Sequence, residues 1–148
     1  LDEHYMASRV RQVHYLGNQL IESGIPVMKP LGGHCVMLDM KHLLPHIPQE
    51  NFPCEAFCAA LYIDSGTRAI GLGQLAFGSE DPQTGQINYS PLELVRLTIP
   101  RRVYTDNHMN VVASSVSRIY DQREQLRGMR IVWAPDMLRH FTAHLEPM

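Results

Sequence analysis

With 148 residues and 16.8 kDa, the chain has room for one domain with a core of its own. Its 45% hydrophobic and 19% charged residues are those of a globular domain, and 13 Lys+Arg against 15 Asp+Glu leave a formal charge of -2. That balance provides no basic field for nucleic acid or anionic lipid, and no apolar run approaches the roughly 20 residues a membrane span needs.

Met6, Val10, Val13, Leu16 and Leu20 recur at spacings of three and four, which predicts an amphipathic helix ended by Gly24 and Pro26. Behind the pair Gly32-Gly33, the run from His34 to Leu38 reads as a strand covered on both faces and closed by Asp39. Residues 43–53 are punctuated by Pro45, Pro48 and Pro53, and Pro53 is placed to open a helix through Tyr62 that Ser65-Gly66 ends. Residues 68–77 are studded with glycine and read as extended, and residues 79–91 as a loop or hairpin tip. Residues 92–99 alternate, with Val95, Leu97 and Ile99 on one face and Leu94, Arg96 and Thr98 on the other, until Pro100 stops the strand. Thr105 is a suitable cap, with Asp106 in the first turn, for a helix whose stripe is Met109, Val112, Val116 and Ile119 and which ends near Gly128. Residues 130–133 read as a short strand. So does the tail, where Phe141, Ala143 and Leu145 alternate with His140, Thr142 and His144. The order fits an α+β domain of two layers, a mixed or antiparallel sheet with helices on one face.

Three cysteines make no disulfide framework. With Cys54 and Cys58 one helical turn apart and no signal-peptide pattern at the start, reduced thiols in a cytoplasmic protein are expected. The chain starts at Leu1 with a helical pattern already running, as a piece of something longer, or a small complete protein trimmed at its start, would.

Among candidate chemical groups, Arg96 stands out as a guanidinium in mid-strand. It is either an ordinary solvent-facing arginine or, if its face meets another domain, a fixed fork able to grip a carboxylate with two parallel bonds. The eight histidines include two pairs spaced by four, His42/His46 and His140/His144, but neither encloses a glutamate and no spacing supplies a third ligand, so no metal is expected. His34 sits where a glycine pair lets a ligand approach closely, although a satisfied core histidine would sit there equally well. Gly71-Leu72-Gly73 lacks the third glycine and following helix of a dinucleotide loop. Only two lysines occur, Lys29 and Lys41, and neither setting marks a Schiff-base nucleophile.

Taken together, the run from Leu92 to Thr105 with Arg96-Leu97-Thr98-Ile99-Pro100-Arg101 at its centre, the triplet Gly32-Gly33-His34, and Leu138-Arg139-His140-Phe141-Thr142-Ala143 resemble the β-eliminating lyases. This family includes tryptophanase and tyrosine phenol-lyase, and the similarity runs from about Arg9 to the end of the chain. The resemblance implies the C-terminal, mostly small-domain part of a fold-type-I enzyme dependent on pyridoxal 5′-phosphate (PLP). The lysine that links the cofactor, the phosphate-binding residues and a monovalent-cation site would lie upstream, so no cofactor-binding residue is expected here and the chain alone should be inactive. The implied partners are its own large domain and further copies in a homo-oligomer, usually a tetramer.

By the same resemblance, Arg96 matches the arginine that binds the substrate α-carboxylate, and His34 and His140 match positions on the leaving-group side. Leu72 falls where tyrosine phenol-lyase has an arginine and tryptophanase an aliphatic residue, and His140 falls where tryptophanases carry histidine and tyrosine phenol-lyases phenylalanine. Both positions favour L-tryptophan, cleaved to indole, pyruvate and ammonium. The stretch Arg101-Arg102-Val103-Tyr104-Thr105 reads more like tyrosine phenol-lyase. The alternatives are therefore cleavage of L-tyrosine, or a stand-alone domain without catalysis.

Overall fold

The structure, a computed structural model, describes residues 2–100 and 103–148. Helix α1 (Glu3–Glu22) begins where Asp2 accepts a hydrogen bond from the Tyr5 amide, 3.0 Å. It ends at Ser23 and Gly24, the latter at φ 74. Strand β1 (Cys35–Asp39) follows, and Asp39 at once caps a single helical turn, α2 (Met40–Leu43), by accepting the Lys41 and His42 amides. A 3-10 turn (Gln49–Asn51) leads into α3 (Pro53–Ser65), with Pro53 in its first turn and Gly66 at φ 69 beyond its end. Next come β2 (Ile70–Leu72), α4 (Gln74–Phe77) and a small hairpin of β3 (Ser79–Glu80) and β4 (Ile87–Asn88). The remainder is β5 (Leu94–Thr98), α5 (Asp106–Asp121), a 3-10 turn (Arg123–Gln125), β6 (Met129–Trp133), α6 (Arg139–Thr142) and β7 (His144–Pro147).

The main sheet has the order β1-β5-β2 and is antiparallel throughout, with Met37 and Ile70 lying on either side of Arg96. Side chains alternate across the pleat. Val36, Leu38, Val95, Leu97 and Ile99 therefore point to one face, where they pack with Val13, Leu16 and Leu20 of α1, Phe57 and Leu61 of α3, and Met109, Val116 and Ile119 of α5. All three long helices lie on that face. Met37, Ile70, Leu72, Arg96 and Thr98 occupy the other. Ion pairs tie the helices to one another: Arg11 of α1 to Asp106 of α5, and Arg118 of α5 to Asp64 of α3. The α+β expectation holds, in its antiparallel form.

Local departures have local causes. Residues 73–77 are not extended beyond Leu72; they turn into α4, because its first amide and its carbonyls find partners far away in sequence. The tail is not one strand, since residues 139–142 form α6 before β7 begins. Helix α5 stops at Asp121, well short of Gly128, and Pro-rich residues 43–53 hold a helical turn and a 3-10 turn. No helix among the described residues is long and apolar enough to cross a membrane. Cys35, Cys54 and Cys58 are free thiols. Leu1, Arg101 and Arg102, which entered the sequence argument, lie outside the described residues.

Candidate active site

Arg96 occupies the middle residue of the central strand, on the face away from the three long helices. Its Nε is buried and, among the described residues, has no hydrogen-bond partner. The residue as a whole is half-buried, and a buried donor without an acceptor carries a desolvation cost of roughly 1–3 kcal/mol. Burial pushes the Cys35 thiol up, while the charges of Arg96 and Arg9 pull it down. Leu72 shares the face of Arg96: Ile70 is paired with Arg96 and Leu72 with Leu94, one pleat repeat along. The aliphatic residue and the guanidinium thus form one continuous surface.

The histidines sit on other elements. His34 lies in the bend before β1 and is exposed, so it is no core histidine; its carbonyl accepts the Ile99 amide at 2.9 Å. His140 is half-buried on α6, its ring 4.1 Å from that of Phe141. Arg139 beside it bonds to α4, the turn that follows Leu72, so α6 and the Leu72 edge of the sheet are mechanically joined. No hydrogen bond or ring contact links Arg96, His34 and His140 among the described residues. The paired histidines go separate ways. His42 meets Asp39 at 2.8 Å and His46 the Leu126 carbonyl at 3.2 Å, while His144 stacks edge-on against Trp133. A cavity of about 520 Å³ opens on the helix side, lined by Leu97, Ile99, Met109 and Val112, and Arg96 does not border it.

Sequence reasoning passed over a buried acidic cluster directly behind Leu72. Glu93 is 1% exposed, and its carboxylate accepts from the Gln74 amide (2.7 Å), from Gln49 Nε2 (3.0 Å) and from Cys54 Sγ (3.1 Å). Glu55, in the first turn of α3, keeps a buried Oε2 with no partner. Burial pushes its carboxyl up to about 7; the Glu93 charge adds to the rise, while its own backbone amide and Arg139 oppose it. Gly71 and Gly73 are glycines for a steric reason. A Cβ on the first would overlap Glu55 Oε1, and one on the second Glu93 Oε2. The signal was present in the parity of the strand, because Glu93 continues the buried series of Val95, Leu97 and Ile99.

The model of the family described as beta-eliminating lyase matches residues 1–115. The chain belongs to the β-eliminating lyase family. It is 56% identical over 148 residues to a tyrosine phenol-lyase of Symbiobacterium thermophilum, covering all of this chain and 32% of that protein. To a tyrosine phenol-lyase of Pasteurella multocida it is 46% identical over 147 residues, and to a probable tryptophanase of Aeropyrum pernix 45% over 151, again spanning 32% of each relative. This lyase chain thus spans about a third of the length of the curated relatives it matches. The names of those relatives include both substrates and do not choose between them.

Proposed function

We propose that the chain is the C-terminal, small-domain part of a PLP-dependent lyase that splits an aromatic L-amino acid by α,β-elimination, and that its own task is to hold the substrate. The observation that carries this reading is Arg96, half-buried on the sheet face away from the three long helices, with its Nε lacking a hydrogen-bond partner among the described residues. Strand pairing on both sides fixes the backbone from which Arg96 projects, and its planar guanidinium offers a fork that matches a carboxylate. Clamping the α-carboxylate there fixes the direction of the Cα–H bond, and an oriented bond is what makes proton removal fast. PLP, when bound, supplies an electron sink for the electrons released at Cα.

The lysines of this chain do not fit a covalent hold on the cofactor. Lys41 Nζ donates to the Pro91 carbonyl at 3.0 Å, and Lys29 is exposed on the segment that leads to β1. The residues present fit the place beside the cofactor. Its lysine, its phosphate contacts and a monovalent-cation site belong, in this reading, to the other two thirds of a homo-oligomeric protein.

Leu72 and His140 support L-tryptophan as substrate: an aliphatic wall suits an indole ring, and an imidazole can hydrogen-bond to a departing heterocycle where phenylalanine could not. His34 would contribute a further polar group at the mouth of β1. The second reading, L-tyrosine with release of phenol, is favoured by the 56% identity to a protein named tyrosine phenol-lyase. A product assay on the full-length protein with PLP, offering the two amino acids separately, decides between them. Indole is the expected product; phenol would show that Leu72 and His140 do not set the choice. Replacement Arg96→Ala is expected to raise KM for the amino acid by about 10- to 10²-fold, as loss of a charged hydrogen-bonded contact of about 1.5–3 kcal/mol implies, and to leave cofactor affinity unchanged. Wild-type kinetics in that variant would remove Arg96 from the site.

A further inference from the structure

Helix α6 is a four-residue turn with little to sustain it alone. No side chain caps its start, and the preceding residue, Leu138, is held at φ 55. A branched residue in the left-handed region costs on the order of 1 kcal/mol and persists only where its surroundings over-determine it. Arg139 supplies that determination. Its Nε donates to the Leu75 carbonyl at 2.8 Å, and its Nη2 donates to the carbonyls of Gln74 and Gly78, each at 2.9 Å. One planar guanidinium thereby spans the end of α4 and its C-cap.

The opposite end of α4 is held by Glu93, which accepts the Gln74 amide. A carboxylate at the amide end and a guanidinium at the carbonyl end both match the polarity of the turn. Gln74, 5% exposed, is the hub: its side-chain oxygen accepts the Ser90 amide, and its carbonyl accepts Arg139. A single bonded line therefore runs from the turn after Leu72, through Gln74, to the residue adjoining His140.

We propose that Arg139 is a positioning residue for leaving-group recognition: by grasping the carbonyls of Gln74, Leu75 and Gly78 it fixes α6, and with it His140, relative to the wall that bears Leu72. The proposal rests on the reading of Leu72 and His140 as two sides of the leaving-group pocket. Arg139 touches neither substrate nor cofactor in this account; it acts through His140. The need for one planar group to span several acceptors explains why an ammonium would not serve.

The test uses the full-length protein with PLP and a double-mutant cycle between Arg139 and His140. Arg139→Gln is expected to lower kcat/KM for L-tryptophan by about 10²-fold, the loss that a displacement of about 1 Å produces, and Arg139→Lys should recover little of it. If Arg139 works through His140, the variant carrying both Arg139→Gln and His140→Phe is no more than about threefold worse than His140→Phe alone. With β-chloro-L-alanine, whose chloride departs without help from the pocket, the loss caused by Arg139→Gln should be at least about tenfold smaller than with L-tryptophan. Multiplying losses in the double variant, or equal losses on both substrates, would reduce Arg139 to a general stabiliser and overturn the proposal. So would wild-type kinetics in Arg139→Gln. Amide hydrogen exchange gives a readout independent of turnover: residues 139–143 should exchange faster in Arg139→Gln while α3 stays protected, and unchanged exchange at 139–143 overturns the proposal. A wild-type protein that forms neither indole nor phenol would instead defeat the reading of the pocket, and the exchange result would still judge the clamp.

Discussion

Glu55 enters the first turn of α3 and places its carboxyl under Gly71, where burial pushes it up to about 7. The groups around it are Glu93, which raises it further, and Arg139, which pulls it back, with the thiols of Cys54 and Cys58 close enough to feel its charge. A carboxyl whose folded pKa lies above its unfolded value binds more protons in the folded state. Its contribution to stability is therefore fully present below about 4.5 and is lost as the pH rises toward about 7. The size of the effect is on the order of 3 kcal/mol across that window. Glu55→Gln should flatten the fall in thermal stability between pH 4.5 and 7 and leave the variant the more stable form at pH 8. Parallel melting-temperature curves for the two proteins would show that Glu55 ionises without cost. The residue itself was not readable in the sequence, because a glutamate in the first turn of a helix has the ordinary reading of a dipole partner. Arg96 was readable as an anomaly in a strand, while the role proposed for it rests on the resemblance and the burial of its Nε needed the structure.

Elements whose reasons lie in their own residues were legible: α1, α3, β1, β5 and the start and stripe of α5, though not its end, follow from apolar spacing and from Gly24, Pro53, Gly66, Pro100 and Thr105. Helices α4 and α6 were not, since each is a single turn whose stability is supplied from elsewhere in the chain. Helix nucleation is unfavourable, and four residues do not recover its cost without tertiary partners. For α4 the partner at its amide end is Glu93, nineteen residues on. Glu93→Ala leaves the Gln74 amide and the Gln49 side chain short of one acceptor each, and such losses cost about 1–3 kcal/mol apiece when buried. The variant should lose about 3 kcal/mol of unfolding free energy, with faster amide exchange concentrated in residues 74–78. Uniformly faster exchange across β1 and β5 as well would mean that Glu93 supports the sheet and not α4. The same logic explains the tail. Period-2 alternation from His140 onward was a fair signal for a strand, and it lost to three hydrogen bonds from one arginine.

The described residues leave Arg96, Met37, Ile70 and Leu72 half-buried on one sheet face and one end of the molecule exposed, and the chain spans about a third of the length of its relatives. Beyond the face of Arg96, large apolar side chains are exposed along α6 and the β6–β7 hairpin: Trp133 54%, Met137 79%, Leu138 64% and Phe141 67%. Single exposed apolar residues are normal on any protein, but these four lie within nine residues of sequence and adjoin the segment that carries His140. Expressed by itself, the chain should bury this end by self-association, and Trp133, the one tryptophan of the sequence, reports on that directly. Its emission should shift to shorter wavelength as the concentration rises, in step with a rising sedimentation coefficient. With PLP and L-tryptophan the same preparation should release no indole, because the half-buried Arg96 then has no cofactor-bearing domain beside it. A monomer at every concentration, with Trp133 emission fixed at the solvent-exposed position, would mean that this end is a tolerable free surface; indole release by that monomer would mean that the two missing thirds are not needed for the chemistry.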